Sequence, residues 1–305
     1  MGNGPETTRL GARMNARARL GTLGTFALAL SLAFAARPAS AVPRAPELTV
    51  FVPVPLTVSG NLLSGIVDLP LGLHADLSIA FENPIGLTAT SLDVYAGIAN
   101  PLDPLLQLKL PPFGVSLSVG FPVIVRIVPH PGSTFAFEGI SGLSLHILNL
   151  DFVPGSVFAL YKSTGGEPFH DITTQLRPGS VRAGGTSGTF SDFMIVLDVR
   201  TIDTIIGEKF SLLQKALNDN AAAMPAPVVS YLQFRLGTAK TFWQSNDAET
   251  AVRVMDGFSS YVVSQSGTAI PDIWSPGGPA NVAGILRSGA YTLRFSLNRK
   301  ATGLP

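Results

Sequence analysis

Cysteine is absent from the 305 residues, and charged residues make up only 13% of them. The missing cysteine excludes a disulfide framework, a thiolate zinc site and a cysteine nucleophile. Soluble domains carry about 25% charged residues on average, so the low charge indicates an extensive apolar core. The 31 Gly and 24 Pro are spread along the chain, which argues against a membrane-spanning helical bundle and favours a β-rich fold with many turns.

Tryptophan and tyrosine are also scarce, with 2 Trp and 5 Tyr against 18 Phe. Glycan-binding faces favour Trp and Tyr, because these rings combine an apolar body with a polar group. Phe is more typical of a core. Trp243 and Trp274 are therefore the candidate binding residues for a glycan, and Trp243 fits the buried face of a helix as well.

The first 41 residues have the pattern of a secretory signal. A region with four arginines precedes an uncharged apolar run over residues 20–36, and Ala39-Ser40-Ala41 has the small-x-small pattern of a cleavage site. We predict an exported protein, periplasmic or secreted, with no transmembrane segment after cleavage. A retained anchor is the alternative, because the apolar run is at the short end of the range of about 17–25 residues that span a bilayer.

Cleavage would also change the charge of the protein. Residues 1–41 hold five Arg and one Glu, so their removal changes the formal net charge from +1 to −3. The remaining chain has no Lys/Arg cluster, which argues against nucleic acid as a partner. The expected partner is a cell-surface glycan or a protein.

The pattern of apolar residues divides the chain near residue 200. Residues 42–200 contain short alternating runs, such as 74–81, 115–119 and 143–150, with Pro and Gly between them. This period of two predicts an antiparallel β-sandwich, with a division into two sub-sheets near 128–133 as an open alternative. Two glycine-containing stretches, 139–142 and 184–188, are interpreted as turns.

Residues 201–305 have apolar positions three and four apart, which predicts a C-terminal bundle of three to four helices. The predicted helices cover residues 201–224, 227–245, 247–264 and 281–297, with Asn246 as an N-cap and Gly267 ending the third. The predicted domains are thus a signal at 1–41, a β-sandwich at 42–200 and a helical domain at 201–305.

The residues that carry chemistry form no recognisable catalytic pattern. The four His are not spaced as metal ligands, and neither a nucleophile elbow nor a calcium loop is present. We therefore predict no catalytic residue, no metal and no cofactor. The alternative is an extracellular glycan hydrolase that uses paired carboxylates of the β domain, such as Asp171.

Two parts of the chain resemble known families. Residues 157–197, with Phe169-His170-Asp171-Ile172-Thr173 and Phe190-Ser191-Asp192-Phe193, resemble the closing strands of bacterial immunoglobulin-like sandwiches. Residues 228–270 are similar to the helical module called FIMAH, through Leu232, Leu236, Ala239, Asn246-Asp247, Ala251, Phe258, Val262, Gly267 and Ile270, although FIMAH has a Gly near the turn where this chain has Asn246. That resemblance implies attachment to a glycan or a surface.

The chain after the signal also resembles an uncharacterised family of exported bacterial proteins. The matching blocks are Asn100-Pro101-Leu102-Asp103-Pro104, Asn149-Leu150, Pro271-Asp272-Ile273-Trp274 and Leu293-Arg294-Phe295-Ser296-Leu297. Taken together, the patterns predict an exported, non-enzymatic, surface-associated binding or structural module.

Overall fold

The computed structural model describes residues 50–118, 120–152, 157–177 and 179–303, and the predicted signal at 1–41 lies outside these ranges. The described residues form thirteen strands. In chain order they are β1 (Phe51–Pro53), β2 (Leu56–Ser59), β3 (Leu62–Leu69), β4 (Leu73–Ile85), β5 (Leu92–Ile98), β6 (Val115–Leu117), β7 (Val123–Pro129), β8 (Ala136–Phe152), β9 (Phe158–Ser163), β10 (His170–Asp171), β11 (Thr173–Arg177), β12 (Gly179–Ser187) and β13 (Asp192–Asp198).

The strands build two antiparallel sheets, as the sequence predicts. The first sheet has the order β1-β5-β7-β13-β9-β10, with β6 paired to the end of β13, and the second has the order β11-β12-β8-β4-β3-β2. The chain passes between the sheets at both edges. It does so at Val54-Pro55, between β1 and β2, and at Ile172, between β10 and β11.

The main core lies between the two sheets because alternate residues of each strand point inward. Leu63, Leu77 and Leu145 are buried residues of the second sheet, and Val125 and Phe193 are buried residues of the first. Aromatic rings concentrate at one part of this core, where Phe81, Phe135, Phe137, Phe190 and Trp274 are in mutual ring contact. The prevalence of Phe in the composition is thus explained by packing.

A short helix, α1 (Pro104–Lys109), contributes to a second, smaller core. Asp103 caps α1 by accepting a hydrogen bond from the backbone N–H of Leu105, at 2.9 Å. Leu106 and Leu110 are buried against residues of the first sheet, such as Met194 and Val196. The outer face of the first sheet is therefore covered here.

Four helices follow the last strand: α2 (Ile202–Asp219), α3 (Ala226–Gln244), α4 (Ala248–Gln265) and α5 (Val282–Ala301). They match the four predicted helices closely, and their apolar faces share one core. None of the described helices is long and apolar enough to span a membrane. Whether the strands and the helices fold as separate domains stays a prediction.

The turn between α3 and α4 corrects one predicted cap. Asp247, and not Asn246, caps α4, because its carboxylate accepts a hydrogen bond from the backbone N–H of Thr250 at 3.0 Å. Asn246 instead has a φ of 62°. Asn tolerates this left-handed conformation better than most other residues with a side chain, which explains an Asn at this position.

Two predicted turns are parts of strands instead. Residues 139–142 lie inside β8, where Gly139 has a φ of 75° next to a register shift against β4. Residues 184–187 lie inside β12, where a Cβ on Gly185 would come within 2.5 Å of the carbonyl oxygen of Ile172. These glycines accommodate a bulge and a close backbone approach, which single-sequence patterns do not distinguish from turns.

Helix α5 attaches the helices to the sandwich through close backbone contacts. Its N-cap Asn281 is fully buried and donates from Nδ2 to the carbonyl oxygen of Gly139 at 2.8 Å. A Cβ on Gly284 would lie 2.4 Å from that same oxygen, and a Cβ on Gly188 would lie 2.5 Å from the backbone nitrogen of Ile285. Only glycine permits this approach.

Candidate functional site

The outer face of the second sheet carries polar side chains, because its strands alternate. In β3 and β4 the inward residues include Val67 and Ile79, whereas Ser64, Asp76 and Ser78 are not buried. The α-helices contact only part of this sheet: chiefly β8, β11 and β12, and Glu82 of β4 through Arg287 of α5. The rest of the outer face is accessible and forms a concavity.

Strand register places four side chains in one row across this face. Ile66 on β3 is opposite Asp76 on β4, Asp76 is opposite His146 on β8, and His146 is opposite Arg182 on β12. His146 Nδ1 lies 3.2 Å from Asp76 Oδ2. The row therefore presents an acidic, an imidazole and a guanidinium group within three neighbouring strands.

A second row, one register step away, is made of small residues. Ser64, Ser78 and Ser144 are aligned across β3, β4 and β8, and Gly184 on β12 follows Ser144. Because these side chains are short, they leave open space above the sheet beside the charged row. The result is a trough of about 820 Å³, which also includes Asp68 and Thr57 in its lining.

One wall of the trough depends on a glycine in β3. A Cβ on Gly65 would come within 2.8 Å of the carbonyl oxygen of Pro55. Gly65 therefore lets the crossover between β1 and β2 lie close to β3, and Pro55 and Thr57 border the trough. Within the part of the chain that the structure describes, no three His, Cys, Asp or Glu residues are grouped to bind a metal ion.

Trp243, a predicted binding residue, is half-buried and packs against the helical core. Its ring stacks on Phe210 with centroids 5.3 Å apart, and its Nε1 donates to Asp203 Oδ1 at 2.8 Å. The Lys300 ammonium, followed by the Trp243 hydrogen bond, holds the pKa of Asp203 below its usual range. One face of the ring and its polar atom are thus engaged by other residues of the protein.

Trp274, the other predicted binding residue, packs on the sandwich core. Its ring stacks on Phe137 at 5.4 Å and meets the edge of Phe190 at 4.7 Å. Its backbone pairs with that of Phe137 through two hydrogen bonds. The two tryptophans belong to different cores, and neither lines the trough.

Asp171, the carboxylate of the predicted hydrolase alternative, is almost fully buried. It forms an ion pair with Lys209 of α2 at 2.7 Å and accepts a hydrogen bond from the backbone N–H of Thr173 at 2.7 Å. Burial by itself raises the pKa of Asp171, but Lys209 and Thr173 outweigh it and hold the pKa below its usual value. The group is therefore a buried carboxylate that joins β10 to a helix.

A buried lysine and serine form a second polar contact between strands. Lys162 Nζ donates to Ser187 Oγ at 2.6 Å and to Thr189 Oγ1 at 2.5 Å, and burial lowers the pKa of Lys162 to about 7. A lysine of this kind could activate a serine. Ser187 is only 7% exposed, however, and the following Gly188 lies directly under α5, so the pair is enclosed.

A third buried cluster ties the end of β13 to α2. Tyr161 donates from its hydroxyl to Asp198 at 2.7 Å, and Arg200 bonds both residues and Glu208. Burial, followed by the nearby carboxylates, raises the pKa of Tyr161. These side chains bond one another, so the cluster stabilises the junction between β13 and α2.

The fold and the site define a class of protein: a two-sheet antiparallel sandwich with a C-terminal helical layer and an open, polar trough on one sheet. The chain belongs to a family of unknown function (DUF6689), whose model matches residues 29–301. No curated protein and no solved structure matches the chain significantly. The sequence-based assignment to an uncharacterised family is thereby confirmed, whereas export and the FIMAH likeness stay predictions.

Proposed function

We propose that the protein is an exported, non-enzymatic binding module that holds a cell-surface glycan in the trough of the second sheet. The observation that carries this proposal is the row Asp76–His146–Arg182 beside three aligned serines in a concavity of about 820 Å³. Ligand sites commonly have volumes of about 300–1,000 Å³. The trough is thus of a size suited to a short saccharide.

The chemistry of the lining suits sugar hydroxyl groups. A carboxylate accepts hydrogen bonds, a guanidinium donates several in a fixed plane, and serine hydroxyls do both. In the lining of the trough, Asp76 supplies the carboxylate and Arg182 supplies the guanidinium. The hydroxyls come from Ser64, Ser78 and Ser144. A chain of alternating hydroxyls could therefore be matched along the two rows.

The predicted export signal supports attachment to a surface, and so do the resemblances to FIMAH and to immunoglobulin-like strands. The signal pattern at 1–41 directs the chain to export. The α3–α4 hairpin resembles FIMAH, and residues 157–197 resemble immunoglobulin-like strands, two modules of extracellular proteins. A non-enzymatic role is favoured over a glycan hydrolase because Asp171 is 4% exposed and paired with Lys209, so it is not free to protonate a glycosidic oxygen.

A glycan array with the purified protein tests the proposal. We expect binding to a restricted set of glycans, and an affinity lower by about tenfold in each of His146→Ala and Arg182→Ala, because each removes a side chain that can hydrogen-bond a sugar hydroxyl. His130→Ala is the matched control: His130 Nδ1 lies 2.9 Å from Asp93 Oδ1 on the first sheet, outside the trough.

Three outcomes would contradict the proposal. Equal binding by the trough variants and the His130→Ala control would exclude the trough. Loss of binding only in Trp243→Ala or Trp274→Ala would move the site to the predicted tryptophans. Release of reducing sugar from a bound polysaccharide, abolished by Asp68→Asn or Asp76→Asn, would make the protein a hydrolase.

A further inference from the structure

The lining of the trough contains one guanidinium group that the protein does not pair. Arg182 on β12 borders the trough and is partly buried. Among the residues that the structure describes, none forms an ion pair or a hydrogen bond with the Arg182 side chain. An arginine side chain is always charged and has five N–H donors, so the donors of Arg182 are available to a ligand in the trough.

Other arginines of this fold show which group fits such a side chain. Arg126 bonds Asp192 through two nitrogens, at 2.7 and 3.0 Å. Arg287 bonds both carboxylate oxygens of Glu82 in the same way. The match is geometric, because the two oxygens of a carboxylate accept parallel hydrogen bonds from the planar guanidinium. A carboxylate from a ligand would give Arg182 the pairing that these two arginines find inside the protein.

The charges of the trough are divided between its two sides. Asp68 lies on β3 and Asp76 on β4, whereas Arg182 lies on β12. The strand order β12-β8-β4-β3 separates Arg182 from Asp68 by three strand spacings, which is about 14 Å. A ligand with one acid group at the β12 side therefore matches the trough, whereas a second acid group over Asp76 or Asp68 would be repelled.

We propose that the ligand of the trough is an acidic saccharide whose carboxylate pairs with Arg182. Its neutral part would lie beside the aligned serines Ser144 and Ser78, towards Asp76. This inference rests on the proposed function, because it names the class of glycan that the trough holds. The acids on the far side favour a glycan in which uronic acids alternate with neutral sugars, over a polymer with a carboxylate on every residue.

Matched pairs of oligosaccharides test the inference with the full chain. Tetrasaccharides of hyaluronan, unsulfated chondroitin and heparosan alternate glucuronic acid with a neutral N-acetylhexosamine. Reduction of their carboxyl groups to alcohols gives neutral counterparts of the same length. In isothermal titration calorimetry we expect at least one acidic tetrasaccharide to bind about tenfold more tightly than its reduced form, because the reduced form loses a charge-assisted pair. Tetragalacturonate, which has a carboxylate on every residue, should bind more weakly than that tetrasaccharide.

Substitution of Arg182 shows whether this side chain recognises the carboxylate. Arg182→Gln should give the acidic and the reduced tetrasaccharide the same affinity. Arg182→Lys should keep part of the preference, because the charge remains while the planar fork is lost. Arg253→Gln is the matched control and should leave the preference unchanged, since Arg253 is exposed on α4 and does not line the trough.

A substitution on the acidic side tests the orientation of the ligand. Asp68→Asn should tighten the binding of tetragalacturonate, because it removes a repulsion. The Asp68 side chain is 79% exposed, so the variant should fold as the unsubstituted protein does. If Asp68→Asn binds tetragalacturonate no better than the unsubstituted protein, the acidic side does not select against a second carboxylate.

The remaining outcomes separate this inference from the function on which it rests. Equal affinity for the acidic and reduced forms, with both weakened by His146→Ala, would overturn the inference and leave the trough as a glycan site. A preference for the acidic form that persists in Arg182→Gln would also overturn it, as would a neutral glycan that binds the trough when every acidic probe fails. If no glycan binding depends on the trough, the proposed function and this inference both fail.

Discussion

The buried ion pair between Asp171 and Lys209 allows a quantitative prediction. The two side chains are 4% and 2% exposed, and Nζ lies 2.7 Å from Oδ2. Lys209 Nζ also donates to Ser296 Oγ of α5 at 2.9 Å. Lys209→Met keeps most of the apolar stem and removes the charge, whereas Asp171→Asn keeps the shape and removes the charge on the other side.

The expected loss follows from the balance between attraction and dehydration. At 2.7 Å and an effective dielectric constant of about 20, the attraction is about 6 kcal/mol. Dehydration opposes it by several kcal/mol for each ion, so the pair adds little net stability. Either single substitution leaves an unpaired buried charge, and we expect each to lower the free energy of unfolding by about 3–5 kcal/mol.

The double variant isolates the interaction. Lys209→Met with Asp171→Asn removes both charges, so its loss should be smaller than the sum of the single losses by about 2 kcal/mol or more. Urea unfolding, followed by far-UV circular dichroism, measures the three free energies. Lys215→Met on the same helix is the control: Lys215 pairs with Asp219 at the exposed surface, and no measurable loss is expected.

The pH dependence of stability is a second readout of the same pair. Because the pKa of Asp171 is held below its ordinary value, its contribution is present above about pH 4 and is lost as the pH falls through the folded value. Asp171→Asn should reduce this fall in the free energy of unfolding at low pH. The reasoning is refuted if the loss in the double variant equals the sum of the two single losses within about 0.5 kcal/mol and the fall at low pH is unchanged in Asp171→Asn.

Two further predictions concern contacts between strands and helices, and a third concerns a contact between strands. Gly188→Ala should lower the unfolding midpoint in urea clearly, because its Cβ would lie 2.5 Å from the Ile285 nitrogen. Arg287→Met should lower the free energy of unfolding by about 1–3 kcal/mol, because Glu82 is left without its bidentate partner. Arg287→Lys should lower it by less, because the charge is kept while the bidentate geometry is lost. The pKa of Lys162, lowered by burial to about 7, means that the folded protein binds fewer protons than the unfolded one above pH 7. Its stability should therefore rise between pH 7 and pH 9 and do so less in Lys162→Met, as measured by urea unfolding at each pH.

The helices were the most predictable part of the fold. Ile206, Phe210, Leu213 and Leu217 are spaced three and four apart, and all four are buried in the helical core. Residues with this spacing lie on one face of a helix, so the pattern can be read from the local sequence alone, and that face is the one that is buried. The alternation in residues 143–147 predicted β8 in the same way, because a strand also places alternate residues on opposite faces.

The trough could not be predicted from single strands. Asp76 and His146 are 70 positions apart, and they meet only because β4 and β8 pair in one register. A shift of either strand by one residue would move the side chain that it contributes to the core face. The alternating patterns indicate which residues share a face of one strand, but they do not indicate which strands are neighbours.

The glycines and tryptophans show a different limit. Gly139 and Gly185 were interpreted as turn residues, whereas each accommodates the approach of another segment that is distant in sequence. Trp274 was selected for its polar and apolar character, yet its ring contacts are with Phe137 and Phe190. In each case a partner brought by tertiary packing decides the role of the residue, and composition does not reveal that partner.

The position of α5 explains why the trough stays open. Its N-terminus is fixed on β8 at Gly139, and Arg287 bonds Glu82 of β4, so the helix is held at one end of the second sheet. His146 lies seven residues further along β8, about 23 Å at the rise of a strand. The Arg287 side chain is 8% exposed and that of Glu82 is 40% exposed, so breaking the pair would leave a largely dehydrated guanidinium without this partner. This pair and the Asn281 cap therefore restrict α5 to one end of the sheet and leave the outer face at His146 accessible to a ligand.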